Sequence, residues 1–369
     1  MNRLYRIIIM SHLIAAVSFI GFSCSRTPAE QFEDAVKSYQ KGENRDKGFA
    51  EIQNKLLQYA SSKVFTAKGI EHTDTFVYGK KNGTCEVLYP PELSFPVSKD
   101  HMVAYYDRET KRIACSDGSA VKVYDENGGT AGEVAPDEKK KKIIDVASVI
   151  VYKDNLIFYR NGSLMGNLLQ TESVRPFLEK QNFPPPFSNM PFNVMMERSG
   201  DLVSVNVGNV GMYNVSVIDL KKREILLKNR RVSSMRTRLC GNTLYHIAGD
   251  TGIWKLVRYT IKEKKSEVLV SFREILDVEL FDSGCVVMKK DSVELMDYTE
   301  KRFVPLIFPI VFKGRCDGLM LLDDNGKHML ADFRKIYEKL TYLETAIPAF
   351  FTKGGDTAAG KNQQKKQGK

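Results

Sequence analysis

A short strand pattern that returns about every forty residues constrains this 369-residue chain more than any other feature. It first appears as TFVYG around Phe76 and recurs at Ile113, Leu156, Leu202, Leu244, Val286 and Leu319, at intervals of 33 to 46 residues. Each run is β-branched and aliphatic and ends in Gly, Asn or Asp, as a strand leading into a tight turn does. Most units continue with a second strand in which an apolar residue precedes Asp or Thr: Tyr124-Asp125, Ile218-Asp219, Tyr259-Thr260, Met296-Asp297 and Ala331-Asp332. The clearest unit, Met235 to Phe272, reads as four strands: RTRLCG, TLYHIAG, WKLVRYTI and SEVLVSF. Four short strands per unit predict an all-β fold, a β-propeller of about seven blades. Six or eight blades are also compatible, because the first and last units are weakly marked. A blade buries its faces only against its neighbours, so the ring is the folding unit. The competing architecture is a β-sandwich with coincidental spacing.

Ahead of the repeats, residues 29–66 predict a helical hairpin. Phe32, Ala35, Val36 and Tyr39 share one face; after the break at Gly42-Glu43-Asn44, Phe49, Ile52, Leu56, Leu57 and Tyr59 continue a second helix. The hairpin resembles one tetratricopeptide unit, which cannot bury its face alone and is expected to cap or flank the next domain. The propeller is expected over 70–350, with the helical stretch from Phe333 to Ala346 closing it. Residues 352–369 are nearly free of apolar side chains and predict a disordered basic tail. Asp137 to Lys142 reads as a charged insertion between units.

The N-terminus carries an address. Arg3 and Arg6 precede an apolar run from Ile7 to Phe22, which leads into Gly21-Phe22-Ser23-Cys24. Basic, apolar, then small is the layout of a secretory signal; the run is shorter than the roughly 20 residues of a membrane span. Residues 1–23 are therefore expected to be a signal peptide, with a retained anchor or a signal without lipid as the alternatives. A cysteine directly after a small residue resembles the bacterial lipobox, its spirochaetal form in particular, although Gly21 stands where that pattern has Leu. The resemblance implies lipid on Cys24, with 24–28 as the lipidated N-terminus and linker, and a soluble domain held on a membrane by several acyl chains.

The formal charge of +10 excludes less than it promises. Arg3 and Arg6 leave with the signal and the tail holds +4, so the body carries only +4. No nucleic-acid partner is expected. Cys85, Cys115, Cys240, Cys285 and Cys316 show neither CxxC nor zinc-knuckle spacing. They read as buried core residues, with a disulfide pair left open.

Catalytic patterns are missing. His72, His101, His246 and His328 are far apart, with no HExxH and no GxSxG. His246, in mid-strand, reads as structural. Gly208 and Gly211 lack a full GxGxxG, and the Asp-Asn-Gly tracts at 323–326 and 125–128 read as turns rather than calcium loops. No metal, cofactor or catalytic residue is expected. Propeller enzymes draw their groups from several blades, however, which spacing cannot reveal. The one composition suited to adhesion is QNFPPPFSNMPF, where Phe183, Pro185, Phe187 and Phe192 are candidate binding residues.

The apolar-Asp strand resembles WD-type blades, and TLYHIAGDTGIWKLVRY resembles NHL-type blades; the layout is similar to the lipoprotein propeller of the outer-membrane barrel-assembly machinery. Neither blade signature is complete, since the Gly-His pair is absent and Trp254 is the single tryptophan; the likeness to the machinery's lipoprotein is one of architecture, its tryptophan-docking motifs being absent. The expected function is a non-enzymatic, lipid-anchored scaffold binding proteins of the cell envelope, on the periplasmic side rather than the cell surface. The alternatives are a propeller enzyme, a small-ligand or glycan receptor, and a surface adhesin. Oligomeric state is left open.

Overall fold

The computed structural model describes residues 26–352 apart from 44, 67–69, 82–83, 91–95, 98–102, 117–119, 135–147, 161, 170–174, 179–181, 185–191, 210 and 251. The signal, Cys24, Asp137 to Lys142 and the tail beyond 352 lie outside the described residues. Two compact units divide the chain, Met1–Tyr59 and Ala60–Lys369.

The first unit holds helices α1 (Pro28–Gln40) and most of α2 (Arg45–Ala60). Helix α1 starts where it does because Thr27 and Glu30 form a reciprocal capping box, with Pro28 in the first helical turn. Phe32, Val36, Ile52 and Leu56 are fully buried, and Lys55 Nζ donates to Gln31 Oε1 at 2.9 Å.

The second unit is a seven-bladed propeller: seven four-stranded antiparallel sheets. Blades one to six are each built from consecutive strands, over 70–97, 103–134, 149–176, 193–232, 237–272 and 275–305. The Met235–Phe272 unit is blade five, with strands at Thr237–Cys240, Thr243–Asp250, Ile253–Thr260 and Lys265–Phe272.

Blade seven differs. It takes three strands from the C-terminal end, Val311–Cys316, Leu319–Asp324 and Lys327–Ala331, and its fourth from ahead of blade one, Ser61–Phe65. Phe65 pairs with His328 and Val64 with Met329, and Ser62 Oγ donates to the Leu330 carbonyl at 3.2 Å. Buried Phe65 shares one core with Val77 of blade one and with Cys316, Leu321 and Leu330 of blade seven. The ring is thus closed by a strand from its N-terminal edge. Two expectations shift accordingly. The hairpin ends at Ala60 rather than at 66, and helix α3 (Phe333–Ala346) forms as expected but does not supply the closing strand. Helix α3 instead packs on blade six, where Phe333 stacks on Phe281 with ring centroids 5.1 Å apart.

The recurring apolar-Asp pair has a local cause. Asp125 Oδ1 accepts from the Asn127 and Gly129 N–H groups at 2.9 and 2.8 Å, and Asp297 Oδ1 from Thr299 and Glu300 at 2.7 and 3.0 Å. Asp219 and Asp332 do the same for Lys222 and Lys335, the latter capping α3. In blades two, four and six the carboxylate satisfies backbone donors that the turn into the outermost strand leaves open, and in blade seven those of the first turn of α3. The repeat therefore records turn geometry, not a ligand site.

Candidate functional site: the central channel and its two mouths

The first strand of each blade lines the axis of the ring. These strands all run the same way, so the molecule has a leading face, where they begin, and a trailing face, where they end. Charged residues on them meet inside the channel. Arg315 of blade seven is 2% exposed at its side chain and reaches Glu197 Oε1 of blade four through Nη1 at 2.8 Å. Its Nε lies 3.3 Å from Glu279 of blade six, and Nη2 lies 3.8 Å from Asp74 after the first strand of blade one. Glu197 also binds Arg238 of blade five and accepts from the Leu239 N–H at 3.0 Å; Glu279 binds Arg236. Blades four and seven are three steps apart in a ring of seven, so the Arg315–Glu197 pair crosses the channel and plugs it.

Burial would raise the Glu197 carboxyl, but Arg315 and Arg238 outweigh it and hold the group below the ordinary carboxylate range. Burial opposes the charge on Arg315 as well, and Glu197 and Asp74 restore it. Glu197 and Arg315 thus hold each other in their charged forms.

Below the plug the trailing face opens into a cavity of about 520 Å³ with walls from six blades. Six of the seven blades carry an aspartate at or just after the end of the first strand, Asp74, Asp107, Asp154, Asp201, Asp282 and Asp317, and four of them, Asp74, Asp107, Asp282 and Asp317, line the cavity. Five of these six rivet neighbouring or facing blades. Arg112 binds Asp154 at 3.0 Å, the Tyr152 hydroxyl donates to Asp201 at 2.7 Å, and Arg238 Nε binds Asp282 at 2.6 Å. Arg198 of blade four reaches Asp107 of blade two at 2.6 Å, and Tyr89 and Arg108 both bind Asp317. Burial pushes the Tyr105 hydroxyl in this wall up to about 12. Sequence reading missed these residues. A signal was present, an Asp two positions before the aligned apolar residue in Asp74-Thr-Phe76, Asp154-Asn-Leu156 and Asp317-Gly-Leu319.

The leading face carries a different opening, a groove of about 250 Å³ lined by Tyr213, Met235, Ile247, Trp254, Ile275 and Leu276. Leu276 is 73% exposed, and Met212 beside the groove is also exposed. Its charged pair, Arg236 Nε and Asp277, is closed at 3.3 Å.

The candidate binding residues are placed differently from what adhesion requires. Phe183 is 2% exposed, and its carbonyl accepts from the Tyr159 hydroxyl at 2.8 Å. Phe192 packs half-buried against the same core, edge-on to Tyr159 at 6.0 Å. Both aromatics serve the seam between blades three and four; Pro185 and Phe187 lie outside the described residues. Phe183 and Phe192 flank the proline run in sequence, and the apolar seam claims both. Cys115, Cys285 and Cys316 are buried free thiols and Cys240 a half-buried one; the side chain of Cys85 is not described. His246 is buried and accepts from Arg230 Nε at 3.0 Å; burial and Arg230 hold it near 4, a neutral acceptor. His72 and His328, distant in sequence, line one cavity of about 370 Å³ at the seam of blades one and seven. Among the described residues no group of three His, Cys, Asp or Glu is arranged to hold a metal.

No family model matches the chain, and no curated protein matches its sequence. Solved structures resemble it in fold. Hsv2 of Kluyveromyces lactis has a TM-score of 0.40 at 12% identity, covering 68% of this chain and 86% of its own. PorZ, a bacterial surface component of the type-IX secretion system of Porphyromonas gingivalis, has a TM-score of 0.40 at 10% identity, covering 74% of this chain and 39% of its own. Hydrazine synthase of Kuenenia stuttgartiensis has a TM-score of 0.42 at 14% identity, covering 66% and 82%. These proteins differ widely from one another, and the likeness reaches no further than the fold.

Proposed function

We propose that this chain is a lipid-anchored envelope lipoprotein whose propeller binds proteins. The observation that carries the reading is the leading-face groove, where Leu276 projects into solvent beside the single tryptophan on a ring whose interior is otherwise closed by ion pairs. An exposed aliphatic group next to a concave apolar wall is the composition of an interface centre. The reaction-free reading is supported in the channel itself: Glu197, Glu279 and Asp107, the carboxylates buried there, are each bound to an arginine.

The test is photo-crosslinking in intact cells from a probe at Met212, next to the groove, followed by identification of the captured protein. Leu276→Glu is expected to lower capture by about ten-fold or more, since a central hot spot contributes about 2 kcal/mol. Capture of no protein at all would sink the reading. For the anchor, Cys24→Ala is expected to move the protein from the membrane to the soluble fraction. Undiminished membrane retention would make the N-terminal segment itself the anchor.

The second reading, a small-ligand receptor, is favoured by one feature: the carboxylates that converge on the trailing-face cavity.

A further inference from the structure

We propose that the trailing-face cavity receives a basic side chain, lysine or arginine, carried on an extended segment of a protein partner. This rests on the protein-binding reading and names the chemistry of a second contact, on the face opposite the groove.

Size is the first observation. A cavity of about 520 Å³ lies within the roughly 300–1,000 Å³ of sites that enclose ligands, and leaves room for peptide backbone beside one side chain.

Charge is the second. The wall carries Asp74, Asp107, Glu109, Glu197, Asp282 and Asp317 against Arg108, Arg198 and Arg238. Counting Arg315 beneath the floor, carboxylates still exceed guanidinium groups by two, on a body whose net charge is positive. Each of these arginines is already bound to a carboxylate, so an incoming anion meets no open cation. A cation does meet open carboxylates. Asp74, 43% exposed, meets one arginine among the described residues, Arg315 at 3.8 Å. Glu109, 63% exposed, is a 3.3 Å second partner to an Arg198 that Asp107 already holds at 2.6 Å. Tyrosines 105 and 106 complete a wall of carboxylate and aromatic surface, which suits ammonium and guanidinium groups.

A third observation concerns Arg198. Its side chain is more than nine-tenths buried in the cavity wall, yet its Nη1 has no hydrogen-bond partner among the described residues. A buried donor without a partner is costly. Asp107 and Glu109 both engage Nη2, so Nη1 is left as a donor for a peptide carbonyl. A peptide bearing lysine or arginine satisfies both requirements. A free polyamine satisfies only the first, and an acidic peptide only the second. The ionic plug closes the floor, so such a segment enters and leaves by one mouth.

The experiment uses the full mature chain and fluorescein-labelled Gly-Gly-Lys-Gly-Gly, with Arg and Glu in place of Lys as the other probes, read by fluorescence polarisation. Saturable binding of the Lys or Arg peptide is expected, weakened by salt, with no binding of the Glu peptide. Asp74→Asn combined with Glu109→Gln should weaken it by about ten-fold, with a far smaller loss of melting temperature than Glu197→Gln, since Asp74 reaches Arg315 only at 3.8 Å and Glu109 is 63% exposed. No saturable binding, equal affinity for the double variant, or equal binding of the Glu peptide would overturn the proposal. Spermidine competing as strongly as the lysine peptide would overturn its peptide part. Failure of peptide binding while crosslinked capture persists would remove this inference alone; failure of capture removes the reading beneath it.

Discussion

Replacing Glu197 by glutamine is expected to lower the melting temperature of the propeller by roughly 10 °C. Glu197 is the shared partner of Arg315 and Arg238, and Arg315 has almost no contact with water. Removing one member of a buried ionic group leaves charge uncompensated where water cannot reach it, at a cost of about 3–5 kcal/mol. A domain of this size loses about 2–4 °C per kcal/mol. Glutamine keeps the shape but sets an NH2 group opposite the Leu239 N–H or the two guanidinium groups, so the variant loses an acceptor together with the charge. Calorimetry of the variant checks it, and a shift of a degree or two would mean that the plug is already hydrated. A double replacement, Glu197→Gln with Arg315→Gln, should recover part of the loss, because the two residues are directly coupled. The same carboxylate gives a pH dependence of definite sign. Its folded-state value lies below the ordinary one, so the stability it contributes is present at neutral pH. That contribution is lost as the pH falls below the ordinary carboxylate range and on through the depressed value.

Removing the closing strand should have an effect at least as large. A chain starting after Phe65 leaves blade seven with three strands and exposes the backbone of Lys327–Ala331 as an open edge. Phe65→Ala alone should cost about 3–5 kcal/mol. Loss of the whole strand adds its backbone ladder, a total comparable with the entire stability of many domains, about 5 kcal/mol at the lower end. Open edges pair with other chains. The shortened protein is therefore expected to associate or to lose its sharp thermal transition, as followed by light scattering and circular dichroism. A monomer melting like the full-length chain would show that the six complete blades hold the ring by themselves.

Legibility divided along a physical line. The blade count and the four strands of blade five were readable because they depend on local chemistry, namely alternating apolar residues, turn glycines and an Asp that caps the next turn. The anticipated helices around Phe32 and Phe333 share that origin, through 3.6-residue spacing and a capping side chain. The clasp was not readable. Ser61–Phe65 contains one β-branched residue in a run that continues a helix, and its partner strand lies more than 260 residues away. The candidate role of Phe183 and Phe192 illustrates the same limit. Proline-phenylalanine composition describes an adhesive surface or a well-filled seam equally well, and burial alone chose the seam.

The sequence by itself determined the period, and with it the ring, because each blade must find a neighbour to cover its faces. It also determined the expectation of an anchor at Cys24, which depends only on residue order. Tertiary structure alone decided that Glu197, Glu279 and Arg315 meet across the axis, and that scattered aspartates form one acidic mouth. Residues on different blades come together through ring closure, and nothing in the spacing of one chain encodes which of them will face each other across the channel.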